Sequence, residues 1–277
     1  MWWIIVVWVL FFIFGAVIGS FGNVLIYRIP LKQSVVFPSS HCPKCNKKLK
    51  FYHNIPIISW IFLRGKCAFC KNKIGFVYPL VEFVSGILMV LAYFYVYEIF
   101  NSLMLGVCFI ILFCLSVIDF KIKMVPENLL FFAYIFAILS NYDRDLIAYH
   151  LINLNLYGTF FVDSLILAGA IIIIKTTVSV IKNRCKIYDN IEVMGDADTI
   201  IIAIIGAILG IKMGIIAIVL ACIFMLPFFM YFILVKKQSD IELAMIPFLF
   251  LGLIFTYIFK SEIINLISLY YNYIQNL

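Results

Sequence analysis

The sequence predicts an all-α polytopic membrane protein: about eight transmembrane helices, with one small polar loop domain between the first and second. Three observations lead there. Of 277 residues, 65% are hydrophobic and only 13% charged, and the mean hydropathy is +1.12, which excludes a soluble globule for want of polar surface. Apolar runs approaching the ~20 residues that cross a ~30 Å hydrocarbon core recur along the chain. The basic residues, finally, collect on one side of those runs.

Spans are expected at 3–27, 79–97, 102–120, 129–142, 159–181, 197–211, 213–235 and 243–259. The fourth and sixth are short, and a tight turn at Lys212-Met213-Gly214 should make the sixth and seventh a helical hairpin. The run from Ile55 to Leu63 is too short to span and belongs to the loop. The expected organisation is therefore a first transmembrane helix (1–27), a loop domain (28–78) and a transmembrane core (79–277). No positively charged region precedes the first apolar stretch, so no cleavable signal peptide is expected.

Charge orients the chain. Residues 28–73 carry ten Lys or Arg and no acid. Eight spans put eighteen basic residues on that side and three (Arg144, Lys212, Lys260) on the other, a positive-inside pattern. The loop domain is expected in the cytoplasm, with both termini outside. A net charge of +7 follows from orientation and from anionic lipid heads, and calls for no nucleic-acid partner.

Within the loop, Cys42-Pro43-Lys44-Cys45 and Cys67-Ala68-Phe69-Cys70 form two knuckles with 21 residues between them. Two thiolates on each turn make a four-sulfur tetrahedral set, suited to structural zinc and secondarily to iron. Two disulfides are the alternative, but they need an oxidising compartment. Cys108, Cys114, Cys185 and Cys222 lie in or beside apolar runs and read as packing residues. His41 and His53 could compete as ligands, though four cysteines already fill the site; His150 has no visible partner in the sequence.

Acids inside or at the edge of apolar runs cost about 2.5–3.5 kcal/mol at mid-bilayer on insertion scales and are usually kept for a task. Asp119 ends the third span and Asp196, after Gly195, opens the sixth; the predicted topology puts both at the cytoplasmic edge. Two carboxylates sharing a site titrate apart, one ionised and one protonated near neutrality. The first can take a proton from water while the second donates to a peptide carbonyl oxygen, which is aspartyl-protease chemistry. Gly195 leaves room for a substrate backbone beside Asp196. The competing explanation is a helix-start acid favoured by capping and dipole, the preferred account of Asp198. Glu82, at the cytoplasmic start of the second span, reads as a helix-start charge or bundle hydrogen-bond partner ahead of a contact for a substrate amine. Asp163, near the outer end of the fifth span, is expected to be hydrated.

These blocks together resemble the bacterial prepilin peptidases, or type IV leader peptidases, over nearly the full chain. The first span closes on Gly15-Ala16-Val17-Ile18-Gly19-Ser20-Phe21-Gly22-Asn23-Val24, then Tyr27-Arg28-Ile29-Pro30. The cysteine knuckles, Tyr78-Pro79-Leu80-Val81-Glu82, Asp119 seven residues before Pro126, Gly195-Asp196 and Ile246-Pro247-Phe248 follow in the family's order. The resemblance implies a GxGD-type aspartyl endopeptidase of the bacterial inner membrane, with Asp119 and Asp196 catalytic, that removes the basic leader of prepilins or pseudopilins. It also implies N-methylation of the new N-terminus with S-adenosylmethionine, for which Asn23 and Arg28 are candidate binding residues. Those two could equally end the helix, Arg28 snorkelling to the interface. Two positions depart from the pattern: Val193 stands where GxGD has its first glycine, and Asp198 where a lysine is often found. The rival classes are an ion-coupled transporter, disfavoured because no repeat is evident and the acids lie at the edge, and an inactive zinc-anchored scaffold of a pilus or secretion machine.

Overall fold

Helices account for every extended element among the described residues of this computed structural model, namely 2–142, 159–184, 195–236 and 243–275. Val193, Cys185 and His150 lie outside them. The helices are α1 (Trp2–Arg28), α2 (Ile58–Phe62), α3 (Val77–Val96), α4 (Ile99–Ile122), α5 (Glu127–Leu139), α6 (Phe160–Arg184), α7 (Asp196–Lys236), α8 (Ile246–Ile258) and α9 (Lys260–Gln275). The chain divides into two compact units, Met1–Ser140 and Asn141–Leu277.

In the first unit α1 packs along α3, and α3 along α4. A methyl placed on Gly15 or Gly19 would stand 2.6 Å from Ser85, so α1 and α3 approach as closely as backbones allow. Small residues permit this where helix association in lipid rests on close packing. Met89, Phe109, Leu112 and Leu115 form the fully buried core beneath.

In the second unit α6 and α8 pack on α7. The long α7 is broken at Gly210, where φ is 75° and ψ 176°. A methyl on Gly214 would lie 3.9 Å from the Cα of Gly206. Eight residues of straight helix would separate those positions by about 12 Å, so the chain doubles back. The expected hairpin is present, but its turn is Gly210, two residues before the Lys212–Gly214 segment: only glycine adopts that backbone readily. The half-buried Asp163 carboxylate has a structural role that the sequence did not suggest. Its Oδ2 accepts the Ile211 N–H at 3.3 Å, capping the second arm of the hairpin.

The expected spans 3–27, 79–97, 102–120 and 159–181 each fall on one long helix. Those at 129–142 and 243–259 fall on helices of 13 residues, α5 and α8. Among the described residues, five helices can cross a bilayer by length and composition, or six if the α8–α9 pair, bent by 72°, is one broken span. The chain is thus an all-helical multi-pass membrane protein. The amphipathic α9 was not anticipated.

Candidate functional site

The loop between α1 and α3 is built on two matching knuckles. In the first, the Cys42 N–H bonds the Lys47 carbonyl at 3.1 Å and the Asn46 N–H returns to Cys42 at 2.8 Å. In the second, Cys67 bonds Asn72 at 2.8 Å and Lys71 returns to Cys67 at 3.1 Å. Asn46 and Lys71 both take positive φ, 53° and 58°. Outside them Leu49 bonds Ser40, and Ile74 bonds Gly65. Residues 40–49 and 65–74 are therefore one motif used twice. The constant Cys42–Cys67 and Cys45–Cys70 offset carried that signal in the sequence.

All four sulfurs lie within 4.8 Å of one another. Those of Cys42 and Cys70 are 3.8 Å apart, the edge of a sulfur tetrahedron with metal–sulfur bonds of about 2.3 Å being roughly 3.8 Å. All four are free thiols. The Cys70 backbone N–H bonds the Cys67 sulfur and, against desolvation, holds its thiol down to about 7. Cys70 is pushed up to about 11: the Asn72 N–H lowers it, but burial and the neighbouring thiols outweigh that. Of these two, Cys67 therefore ionises more readily. This donor set fits zinc.

Beneath the knuckles is a cavity of about 450 Å³, in the range of small-molecule sites. Asn23 and Arg28, Cys42 and Cys67 all line it. Asn23 Nδ2 donates to the Tyr78 carbonyl at 3.0 Å, tying α1 to the start of α3. Arg28 is buried, and its guanidinium donates to the carbonyls of Ser34 and Pro38 at 3.0 and 2.7 Å, folding the loop's first turn inward. Ser20 and Trp60 line the cavity without having been singled out, and His53, weighed above only as a rival metal ligand, lines it too. For Ser20 a signal existed: positions 20, 23, 24 and 27 all face the cavity at helical i, i+3, i+4, i+7 spacing. Glu82, also buried, closes the wall from α3.

The two aspartates occupy different settings. Asp119, on α4 of the first unit, is buried at 6% exposure. Asp196 opens α7 in the second unit, its side chain 94% exposed and its Oδ1 paired with Lys175 Nζ at 2.6 Å. That lysine interrupts the run Ile171–Ile174 of α6, the one sequence hint of it.

Comparison with known proteins gives a match to the bacterial Peptidase A24 N-terminal domain over residues 13–96 and to the type IV leader peptidase family over 106–230. A Vibrio cholerae prepilin leader peptidase/N-methyltransferase is 32% identical over 206 residues, covering 72% of this chain and 76% of the relative. The chain belongs to the type IV leader peptidase family. Relatives of the same description from Myxococcus xanthus (49% over 80 residues) and Bacillus subtilis (38% over 122) match over 29% and 44% of this chain. Those two alignments span 24% and 49% of the relatives' own lengths. No solved structure matches the chain.

Proposed function

We propose that this protein is a bacterial inner-membrane prepilin peptidase that cuts the basic leader from type IV prepilins or pseudopilins at the cytoplasmic face and then N-methylates the new N-terminus. Family similarity running through both Asp119 and Asp196 carries the reading. In it, residues 28–78 are the zinc-binding loop domain and 79–277 the protease core.

For cleavage, one carboxylate of the Asp119–Asp196 pair takes a proton from water as the oxygen attacks the scissile carbonyl. The other donates to the carbonyl oxygen, so both charges are neutralised where they develop. In the loop, Cys42, Cys45, Cys67 and Cys70 would hold zinc and so fix both knuckles over the cavity. Asn23 and Arg28 are the candidates for orienting S-adenosylmethionine, which when bound supplies an electrophilic methyl on a sulfonium. The buried carboxylate of Glu82 in the cavity wall supports a cationic ligand there.

The test is processing of a prepilin with a basic leader, a glycine and a Phe-led apolar segment, by membranes carrying wild type, Asp119→Asn or Asp196→Asn. Each amide keeps size but removes a proton carrier, and each should lower cleavage by at least about 100-fold. Unchanged cleavage in either variant removes that residue from the mechanism; no cleavage by wild type favours the inactive scaffold. Mass spectrometry of the product with S-adenosylmethionine should show one added methyl group.

A further inference from the structure

Glu82 is a buried carboxylate without a protein cation. It is 9% exposed and lines the cavity. Its Oε2 accepts the Ile57 N–H at 2.7 Å, and Ser20 lines the same cavity. Among the described residues no Lys, Arg or His forms an ion pair with it. Arg28, on the same cavity, gives its guanidinium to backbone carbonyls instead. An ionised carboxylate offers about four acceptor sites, so capacity is left over, and a buried charge is normally paired.

The protein also spends strain to aim this group. Ile57 has φ 60° and ψ −51°, rare for a β-branched residue. The Ile58 N–H closes back on the Pro56 carbonyl at 2.5 Å, the three-residue γ-turn of the disfavoured hand. That turn is what points the Ile57 N–H at Glu82. Strain of this kind persists where the surroundings over-determine it, often at ligand sites.

The geometry points to Glu82 as the group that receives the α-amine of the freshly cut substrate and takes its proton for methyl transfer. This rests on the bifunctional reading above. An N-terminal amine with a pKa of about 8 is mostly ammonium at neutral pH, and in that form it has no lone pair to attack with. On transfer of one N–H proton to the Glu82 carboxylate, the freed lone pair forms the N–CH₃ bond. The donor's S–CH₃ bond breaks with its electrons remaining on sulfur, so the sulfonium becomes a neutral thioether and charge balances. The other titratable groups on this cavity are Tyr27 and Arg28 from α1, His41, His53 and Lys73 beside the knuckles, and Tyr78 from α3, besides the metal-site thiols. None of them is a carboxylate, which leaves Glu82 as the carboxylate able to balance the ammonium.

The experiment uses the full-length protein in nanodiscs, with Glu82→Gln as the variant. Glutamine retains a carbonyl to accept the Ile57 N–H but carries no charge. The probes are a Phe-led product peptide with a free α-amine and its N-acetylated twin. Wild type should bind the free amine at least about tenfold better than the acetylated peptide, and Glu82→Gln should reduce that preference below about threefold. Methylation at pH 7 should fall by at least about 100-fold. The deficit should shrink at pH 9, where bulk solvent deprotonates the amine. Zinc content and leader cleavage should stay within twofold of wild type. Methylation at the wild-type rate in Glu82→Gln overturns the proposal alone. So does loss of S-adenosylmethionine binding with the amine preference intact, which makes Glu82 the donor's counter-charge. Loss of zinc together with cleavage also overturns it, reducing Glu82 to a latch for the Ile57 turn. A wild type that cleaves but transfers no methyl overturns the bifunctional reading itself.

Discussion

Glu82 and Asp196 are both acids near the start of an apolar helix, yet the two units treat them in opposite ways. Glu82 is buried, held by the strained Ile57 turn of the loop, and pairs with no cation among the described residues. Asp196 is 94% exposed and already paired with Lys175. A carboxylate built into a wall and left unpaired is set up to hold a charged ligand. One on the surface beside a lysine is set up to be reached by a large substrate, and its pair is readily exchanged. The contrast shows that depth in a hydropathy profile does not tell a binding acid from an accessible one; the packing around the helix start decides.

The largest effect that would sharpen this contrast comes from emptying the knuckles. Serine at Cys42, Cys45, Cys67 and Cys70 should abolish zinc by metal analysis and release the roof of the cavity. Methylation should then fall by at least about 100-fold, whereas cleavage, which the proposal assigns to acids outside the loop, should fall far less. Equal losses would tie the two activities to one support. A milder form uses pH. The Cys67 thiol, held at about 7 by the Cys70 N–H, supplies its thiolate above that pH and loses it as pH falls through it. Zinc affinity in a chelator competition should therefore weaken from pH 8 to pH 6, because protons and metal compete for the sulfur. A flat profile would show that metal does not displace protons from these thiols.

Next in size is the hairpin of the second unit. Gly210→Ala forces a side chain into φ 75°, with its Cβ 3.0 Å from Asp163 Oδ2. The expected cost is about 1–3 kcal/mol, read as a lower melting temperature in detergent. Ala at Gly195, next to Asp196, has no such positive φ to satisfy and should cost less. If Gly210→Ala is silent, the turn lies elsewhere.

Local spacing made much of this legible in advance. The four cysteines come together because each pair sits on one turn, so their geometry is nearly a property of the sequence. Asn23 and Arg28 were legible as residues at the foot of α1, but not that Arg28 would fold the loop onto itself. The Gly210 turn was misplaced by two residues because three candidate breakers, Gly210, Lys212 and Gly214, lie together, and only the backbone dihedral chooses among them. Lys175 could not be paired with Asp196 from the sequence: 21 positions separate them, and helix packing alone brings them into reach.

That pair gives the smallest expected effect. An exposed ion pair is worth about 0–1 kcal/mol, so Lys175→Ala should leave stability almost unchanged. Its influence on leader cleavage should be a few-fold at low salt, through the loss of a partner that fixes where the Asp196 carboxylate points. Screening shortens the reach of surface charges to about 8 Å at physiological ionic strength. Raising salt should therefore slow wild type toward the variant while leaving Lys175→Ala less affected, and Lys175→Arg should behave like wild type. A loss above about tenfold that persists at high salt would contradict an exposed pair. Lys175 would then act in a desolvated site, and the contrast between the two acids would narrow to the identity of the cation each one holds.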